Sequence, residues 1–270
     1  MNFKHEDTLL LVSATALLIG ASALAWAAVG GVFAVLVAII LSFAGGVGLL
    51  LNVYRSRTKD DRALKEHVQS LLHLTELLDI RAPIPALTGW AASPQLACTL
   101  VSLVREHAPE VVVELGSGSS TVVLGYAVEQ QGRGHVIALD HDPSYGEQTR
   151  ATLARHGLSE WAEVRHAPLQ DVALEGESWP WYAPTALDDQ PAIDMVLVDG
   201  PPHELRSRAR YPALPMLADR LSDTAVVVLD DVYREDEAAI AEAWSEQFPD
   251  FELDIEDSPY GTAVLQRASA

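Results

Sequence analysis

Hydrophobic and polar positions divide this chain into three stretches with different periods. Between Thr8 and Tyr54 there is no Asp, Glu, Lys, Arg or His. A membrane-crossing helix needs about 20 mostly apolar residues, and the uncharged stretch is long enough for two. The Gly30-Gly31 pair after Trp26 supplies a break. This predicts one span over Leu9–Val29 and a second over Val32–Val53, joined by a very tight connection. A cleaved signal peptide would show a single short apolar core ending in small residues, and the second span argues against it. From Arg55 to Ile80 charged residues alternate with Leu64, Val68, Leu71, Leu72, Leu74 and Leu77 at near-helical spacing. This predicts an amphipathic stalk with three open fates: lying on a lipid surface, pairing with another copy as a homo-oligomer, or packing on the next domain. Pro83 and Pro85 end it. The expected organisation is therefore an anchor over 1–54, a stalk and linker over 55–86, and a globular domain over 87–270.

In the third stretch the period changes again. A helical pattern covers Pro94 to His107. Short β-branched runs then alternate with helical patterns: Val111 to Leu115, His135 to Leu139, Ala162 to Arg165, Ile193 to Val198 and Ala225 to Leu229. Continuous apolar runs separated by helices are the mark of parallel strands buried on both faces, so the class is α/β. Phe251 to Ile255 and Thr262 to Gln266 flank the turn Ser258-Pro259-Tyr260-Gly261 and predict a closing antiparallel hairpin.

Charge sharpens this picture. Lys4 alone precedes the first predicted span, whereas Arg55, Arg57, Lys59, Arg62 and Lys65 follow the second. The excess of cations on the cytoplasmic side of membrane proteins places both termini, and with them the globular domain, in the cytoplasm. The expectation is a two-pass protein of the cytoplasmic membrane with the bilayer as a partner. The formal net charge is -20, spread over the globular domain. An acidic surface repels phosphate backbones, so nucleic acid is excluded as a partner. Cys98 is the only cysteine, which rules out an intrachain disulfide and a multi-cysteine zinc site. It lies in the apolar run Leu96 to Val104 and reads as a core thiol.

The predicted strands end in chemistry-bearing residues. Glu114-Leu115-Gly116-Ser117-Gly118-Ser119-Ser120-Thr121 joins the first strand to a helix. Two glycines there allow a tight turn and close backbone approach, and the helix start offers unpaired amides to a ligand. Roughly 20 residues further on, Asp140 ends the second strand, where a carboxylate can accept from both hydroxyls of a ribose. The third strand runs into His166-Ala167-Pro168-Leu169, where an adenine would rest or a plain loop would pass. Asp199 ends the fourth strand and Asp230-Asp231 the fifth. Three converging carboxylates repel one another unless a cation or proton lies between them, and an all-oxygen set suits a hard divalent ion, Mg2+ or Mn2+. The alternative is that Asp199 contacts cofactor or substrate while Asp230 or Asp231 caps a helix.

Taken together, these residues resemble class I S-adenosylmethionine (SAM) dependent methyltransferases, particularly bacterial small-molecule O-methyltransferases related to the catechol O-methyltransferase type. The likeness runs from about Leu87 to Gln266. It includes Gly89-Trp90, Ser93-Pro94, the Glu114–Thr121 loop, Leu139-Asp140-His141-Asp142-Pro143, Trp181-Tyr182, Val198-Asp199-Gly200-Pro201-Pro202 and Leu229-Asp230-Asp231-Val232-Tyr233-Arg234. It implies a Rossmann-like seven-stranded sheet with a reversed last strand, here preceded by a transmembrane helical hairpin. By the same resemblance, Glu114, Gly116, Ser117 and Gly118 would hold the methionine end of SAM, Asp140 the ribose, and His141 and Ala167 the adenine surroundings. Asp199 is common to the cofactor, catalytic and metal readings, with Asp230 and Asp231 as the remaining metal ligands. Two positions depart from the pattern: Asp231 stands where Asn is common, and no Lys follows Asp199 as base.

These assignments give a mechanism. A divalent ion on Asp199, Asp230 and Asp231 would lower the pKa of an acceptor hydroxyl, and His203 would take its proton. The acceptor is a small molecule or, given the anchor, a lipid-like one, with Trp179-Pro180-Trp181-Tyr182 either walling it or packing. Two other classes compete. A nicotinamide-dependent oxidoreductase would want a third glycine where Thr121 stands, and a membrane-tethered non-catalytic domain would bind SAM without turnover.

Overall fold

In a computed structural model of the protein, the described residues are 31–85, 87, 91–190, 192–256 and 258–267, with scattered positions between 16 and 23. Most of the first expected span, and Gly89-Trp90, lie outside them. The chain divides into two compact units, Met1–Lys65 and Glu66–Ala270. The expected second span forms part of helix α1 (Gly31–Leu77), which carries on past Arg55 without a break. Within it Val35–Tyr54 covers 20 residues at mean hydropathy 2.3 with none buried. It is the one helix among the described residues long and apolar enough to cross a membrane.

In the second unit the end of α1 contributes to the core. Leu74, 1% exposed, and Leu78 are buried with Leu96, Leu100 and Val104 of helix α2 (Pro94–His107). Cys98 donates its thiol to the Ser70 carbonyl at 3.4 Å, the core-facing role expected of it. Beyond the helix, the Arg81 amide donates to Tyr126 Oη at 2.9 Å, and its guanidinium pairs with Glu129 at 2.8 Å. Of the three fates open to the stalk, its last turns pack on the domain. The second compact unit begins at Glu66, within the expected stalk.

The sheet follows the predicted runs within a residue or two at most ends, and β7 begins earlier. Strands β1 (Val111–Leu115), β2 (His135–Asp140), β3 (Ala162–His166), β6 (Ile193–Val198) and β7 (Leu221–Asp230) are mutually parallel, and β8 (Phe251–Glu256) with β9 (Thr262–Arg267) forms the closing antiparallel pair. The seven-stranded order is β3-β2-β1-β6-β7-β9-β8, with β9 antiparallel to β7. Helices α3 (Ser119–Gln131) and α4 (Pro143–His156) follow β1 and β2, while α5 (Ala213–Leu217) and α6 (Glu235–Gln247) flank β7. Alternate residues of each strand enter opposite cores: Val112, Val136 and Leu197 join α2 and α3 on one face, and Val113, Ile137 and Val196 join Leu214 and Trp244 on the other. Burial of both faces is why these strands read as unbroken apolar runs. Strand order reverses between β1 and β6, and a crevice opens at such a reversal outside the carboxyl ends of the strands.

One element differs from expectation. The stretch left as loop after His166 contains a two-stranded hairpin, β4 (Leu169–Leu174) and β5 (Glu177–Tyr182), turning through Glu175 and Gly176 at φ 53 and 83. Two consecutive left-handed residues suit a two-residue hairpin turn. Pro180 sits in β5 opposite Asp171, which a two-stranded ribbon tolerates. Trp179, Trp181 and Tyr182 are all buried, so the two indoles pack into the core and do not wall an acceptor.

Candidate active site

A cleft of about 640 Å³ opens at the reversal point. The loop after β1 forms its floor. Gly116 has φ 112, a conformation open to glycine, and its amide donates to the Leu139 carbonyl at 2.9 Å, tying the β1 and β2 ends together. Opposite it, a Cβ on Gly200 would lie 2.2 Å from Tyr182 Oη and 3.1 Å from the Leu115 carbonyl, so the two loops approach closely only because that residue is glycine. The loop is braced from beneath by Glu114, which is fully buried. One of its oxygens accepts from Ser120 Oγ and the other from Thr121 Oγ1 at 2.6 Å, and Thr121 in turn accepts the Gly118 amide at 2.9 Å. Burial raises the Glu114 carboxyl to about 7, against the two hydroxyl donors that favour its charge.

Asp140 forms one wall. Its carboxylate accepts from Ser117 Oγ and from the Asp142 amide at 2.9 Å, and His141 stands 3.8 Å away at the rim. Asp142 caps α4 by accepting from the Ser144 and Tyr145 amides at 2.7 and 3.3 Å. Tyr182, carried in by the unexpected hairpin, lines the cleft and is 2% exposed, with its hydroxyl buried beside Gly200 and without a hydrogen-bond partner among the described residues. Burial pushes that phenol far above its usual range, so it is a donor at any working pH.

The far wall is acidic. One oxygen from each of Asp199, Asp230 and Asp231 lies within 4.8 Å of the others. Burial lifts Asp199 to about 7 and Asp230 to about 8; the charge of Asp231 adds to both rises, while Arg210 opposes them. Sequence reasoning missed the cation among them. The Arg210 side chain is 4% exposed, with Nη2 3.3 Å from Asp199 Oδ1 and Nη1 3.4 Å from Asp231 Oδ2. Nη1 also lies 3.4 Å from the Asp230 carbonyl, and Nε 3.8 Å from Glu237. Burial works against the guanidinium charge, and the surrounding carboxylates outweigh it and raise its pKa. Arg234 reaches Asp231 from the rim at 2.8 Å. The available signal for Arg210 was its position: the last of three alternating arginines, Arg206, Arg208 and Arg210, it adjoins the apolar run Tyr211 to Leu217 and is carried inward with it.

Of the residues proposed from sequence, Gly116, Ser117, Gly118, Asp140, His141, Asp199, His203, Asp230 and Asp231 line one cleft. His203 stands at its rim with Nδ1 3.5 Å from Glu204. Glu114 and Ala167 do not line it: Glu114 braces the loop, and Ala167 is buried with its amide donating to the Asp140 carbonyl at 2.8 Å. Ser119, Arg210 and Arg234 line it without having been assigned a role, and Tyr182, expected as part of an aromatic wall or as packing, lines it as well.

The comparisons agree with this geometry. Residues 113–232 match a family model described as a methyltransferase domain. No protein of curated function matches the chain. Among solved structures it resembles the SAH-bound methyltransferase PaMTH1 of Podospora anserina at TM-score 0.56 and 13% identity, over 78% of this chain and 96% of that one. An O-methyltransferase from Bacillus cereus in complex with SAH gives 0.52 and 16% over 77% and 91%. TomG of Streptomyces achromogenes, an O-methyltransferase solved with SAM, gives 0.51 and 17% over 77% and 90%. Family match and fold agree: residues 113–232 carry a methyltransferase domain, and the chain has the class I, O-methyltransferase-like fold, which together support a SAM-dependent methyltransferase.

Proposed function

We propose that the protein transfers a methyl group from SAM to an oxygen of a small-molecule or lipid-like acceptor, at the cytoplasmic face of a membrane that holds it through its N-terminal apolar segment. The observation that carries the reading is the single cleft in which the Gly116–Gly118 loop and Asp140 face Asp199 and His203. The residues fit the cofactor. Asp140 keeps acceptor capacity towards a ribose beyond its two bonds, Tyr182 Oη is a buried donor without a partner, and the absence of a side chain at Gly200 keeps the two loops closely apposed. SAM supplies an electrophilic methyl group on a sulfonium; the protein's part is to align it with the acceptor and to manage one proton. In this reading the β1 loop and Asp140 fix the donor, Asp199 orients the acceptor hydroxyl, and a ring nitrogen of His203 receives its proton.

Metal assistance by Mg2+ or Mn2+ was the expectation for Asp199, Asp230 and Asp231. Their spacing suits a hard ion, but a guanidinium already lies against two of the three carboxylates, so the set does not fit a resident divalent ion and no step is assigned to one. The two-pass membrane topology rests on the uncharged segment and its flanking cations, with Val35–Tyr54 as its structural support.

The test is isothermal titration with SAM, SAH and NADH on wild type and Asp140→Ala. Loss of two hydrogen bonds to a charged acceptor, about 1.5 to 3 kcal/mol each, weakens SAM binding at least about a hundredfold. Binding of NADH instead, or of neither cofactor, overturns the proposal, while SAM binding with no turnover across an acceptor screen favours the non-catalytic alternative.

A further inference from the structure

We infer that Arg210 is the built-in cation of the Asp199–Asp230–Asp231 cluster, and that the acceptor side of this cleft operates without a divalent ion. The inference deepens the methyltransferase reading, but its principal readout is metal binding and does not depend on that reading.

Three carboxylates at the ends of β6 and β7 repel strongly: two like charges about 4 Å apart cost about 4 kcal/mol where the effective dielectric constant is near 20. A cation or a proton has to lie among them, and the fold places a cation there. The guanidinium meets Asp199 through Nη2 at 3.3 Å, Asp231 through Nη1 at 3.4 Å and the main chain of Asp230 at 3.4 Å. A planar fork with several fixed donors can bridge two strand ends in this way, which a point charge such as lysine cannot. Its position is set from behind by the next residue. The Tyr211 carbonyl accepts from Trp244 Nε1 at 3.0 Å, and its ring packs on Trp179 with centroids 5.3 Å apart. Arg210 is therefore held by α6 and by the β4–β5 hairpin, and it is not a surface side chain that happens to fall inward.

A divalent ion would have to displace it. Mg2+ takes its oxygens at about 2.0 to 2.1 Å in a near-octahedral shell, whereas Asp199 Oδ1 and Asp231 Oδ2 already face Arg210; Asp231 Oδ2 is shared further with Arg234 at 2.8 Å. The Arg210 side chain is 4% exposed in the wall of the cleft, and an ion bound at these carboxylates would be packed against the guanidinium as a neighbouring like charge. This also accounts for Asp231 standing where related enzymes commonly have Asn: the added negative charge has a resident partner. Arg210 acts as a positioning residue, fixing the Asp199 carboxylate that faces the acceptor.

The experiment is Mn2+ titration of the EDTA-dialysed full-length protein, followed by electron paramagnetic resonance, on wild type, Arg210→Met and Arg210→Lys, with SAH titration of each as the check on folding. Wild type is expected to show no stoichiometric Mn2+ site, and its SAH affinity and methyl-transfer rate should be unchanged by EDTA. Arg210→Met keeps an apolar stem and leaves the acids without their cation, so it should bind Mn2+ at least about tenfold more tightly than wild type. Arg210→Lys restores a positive charge and should return Mn2+ binding towards the wild-type level. A wild-type protein that binds one Mn2+ and loses it on Asp231→Ala overturns the inference, and that result needs no variant of Arg210. An Arg210→Met protein that still binds SAH but gains no Mn2+ overturns it as well.

Discussion

Replacing Glu114 by Gln changes how stability depends on pH, and the structure fixes the sign. Glu114 is wholly enclosed, and its carboxyl is raised from 4.5 to about 7 by burial. Below pH 4.5 it is protonated in both folded and unfolded chains and contributes no difference. Between 4.5 and 7 the unfolded chain releases the proton that the folded chain keeps, so stability falls as pH rises. Above 7 the deficit is complete at about 3 kcal/mol. Glutamine removes this dependence. It also weakens the contact with Ser120 and Thr121, since both hydroxyls now donate to carboxylate oxygens and an amide has only one acceptor; that costs about 1 kcal/mol at every pH. The two stability curves should therefore cross. Glu114→Gln is expected to be about 1 kcal/mol less stable than wild type at pH 4.5 and about 2 kcal/mol more stable at pH 8.5. Urea unfolding midpoints of both proteins across that range measure the difference directly. Asp199 and Asp230, also raised by burial, titrate in the same window in both proteins; the Glu114 charge adds a minor part to the Asp199 rise, and that part goes with the substitution. Parallel curves for the two proteins would refute the reasoning, because they would mean that Glu114 is ionised in the fold throughout.

Two further expectations follow from packing. A protein starting at Glu66 should fold and stay with the aqueous fraction in liposome flotation while the full chain floats. One starting at Leu87 also loses the buried Leu74 and Leu78, so denaturant titration should show it about 3 to 6 kcal/mol less stable than the Glu66 start. Gly200→Ala drives a methyl group against Tyr182 Oη and the Leu115 carbonyl. SAH affinity, measured by titration, should fall at least about tenfold, and adding Tyr182→Phe should recover only part of it because the carbonyl contact remains.

What was legible in the sequence was what local physics determines. The parallel strands are buried on both faces, so their apolar runs are continuous and the ends of most fall within a residue or two of the residues that pair. The loop from Gly116 to Thr121 and the acids at the strand ends are likewise local, because a strand that stops at a crevice carries its functional group on its last residue or just after it. The rest depends on residues distant in sequence. The β4–β5 hairpin turns on Glu-Gly and carries a proline in one strand, so neither its turn nor its alternation resembles a strand pair, and Tyr182 went unplaced as a cofactor-side donor. The stalk's periodicity gives an apolar face but not the surface that meets it, which turns out to be α2.

Arg210 shows why charge in a cleft has to be counted from the whole surrounding shell. From the strand ends alone, three carboxylates call for a cation, and a divalent metal is the ready answer. The fold supplies one from a segment between β6 and β7 that carries no motif, with its backbone held by Tyr211 against Trp244 and Trp179. Glu237, buried on α6 with its Oε1 3.8 Å from Arg210 Nε, belongs to the same shell. The shell then holds four carboxylates against two guanidiniums, and the raised values of Asp199 and Asp230 indicate how the remaining imbalance is met: protons are retained on these two acids near neutral pH. An acidic cluster neutralised in this way offers an acceptor a fixed field in place of an exchangeable Lewis acid. In the function proposed above, deprotonation then falls to a side chain at the rim, which is where His203 stands.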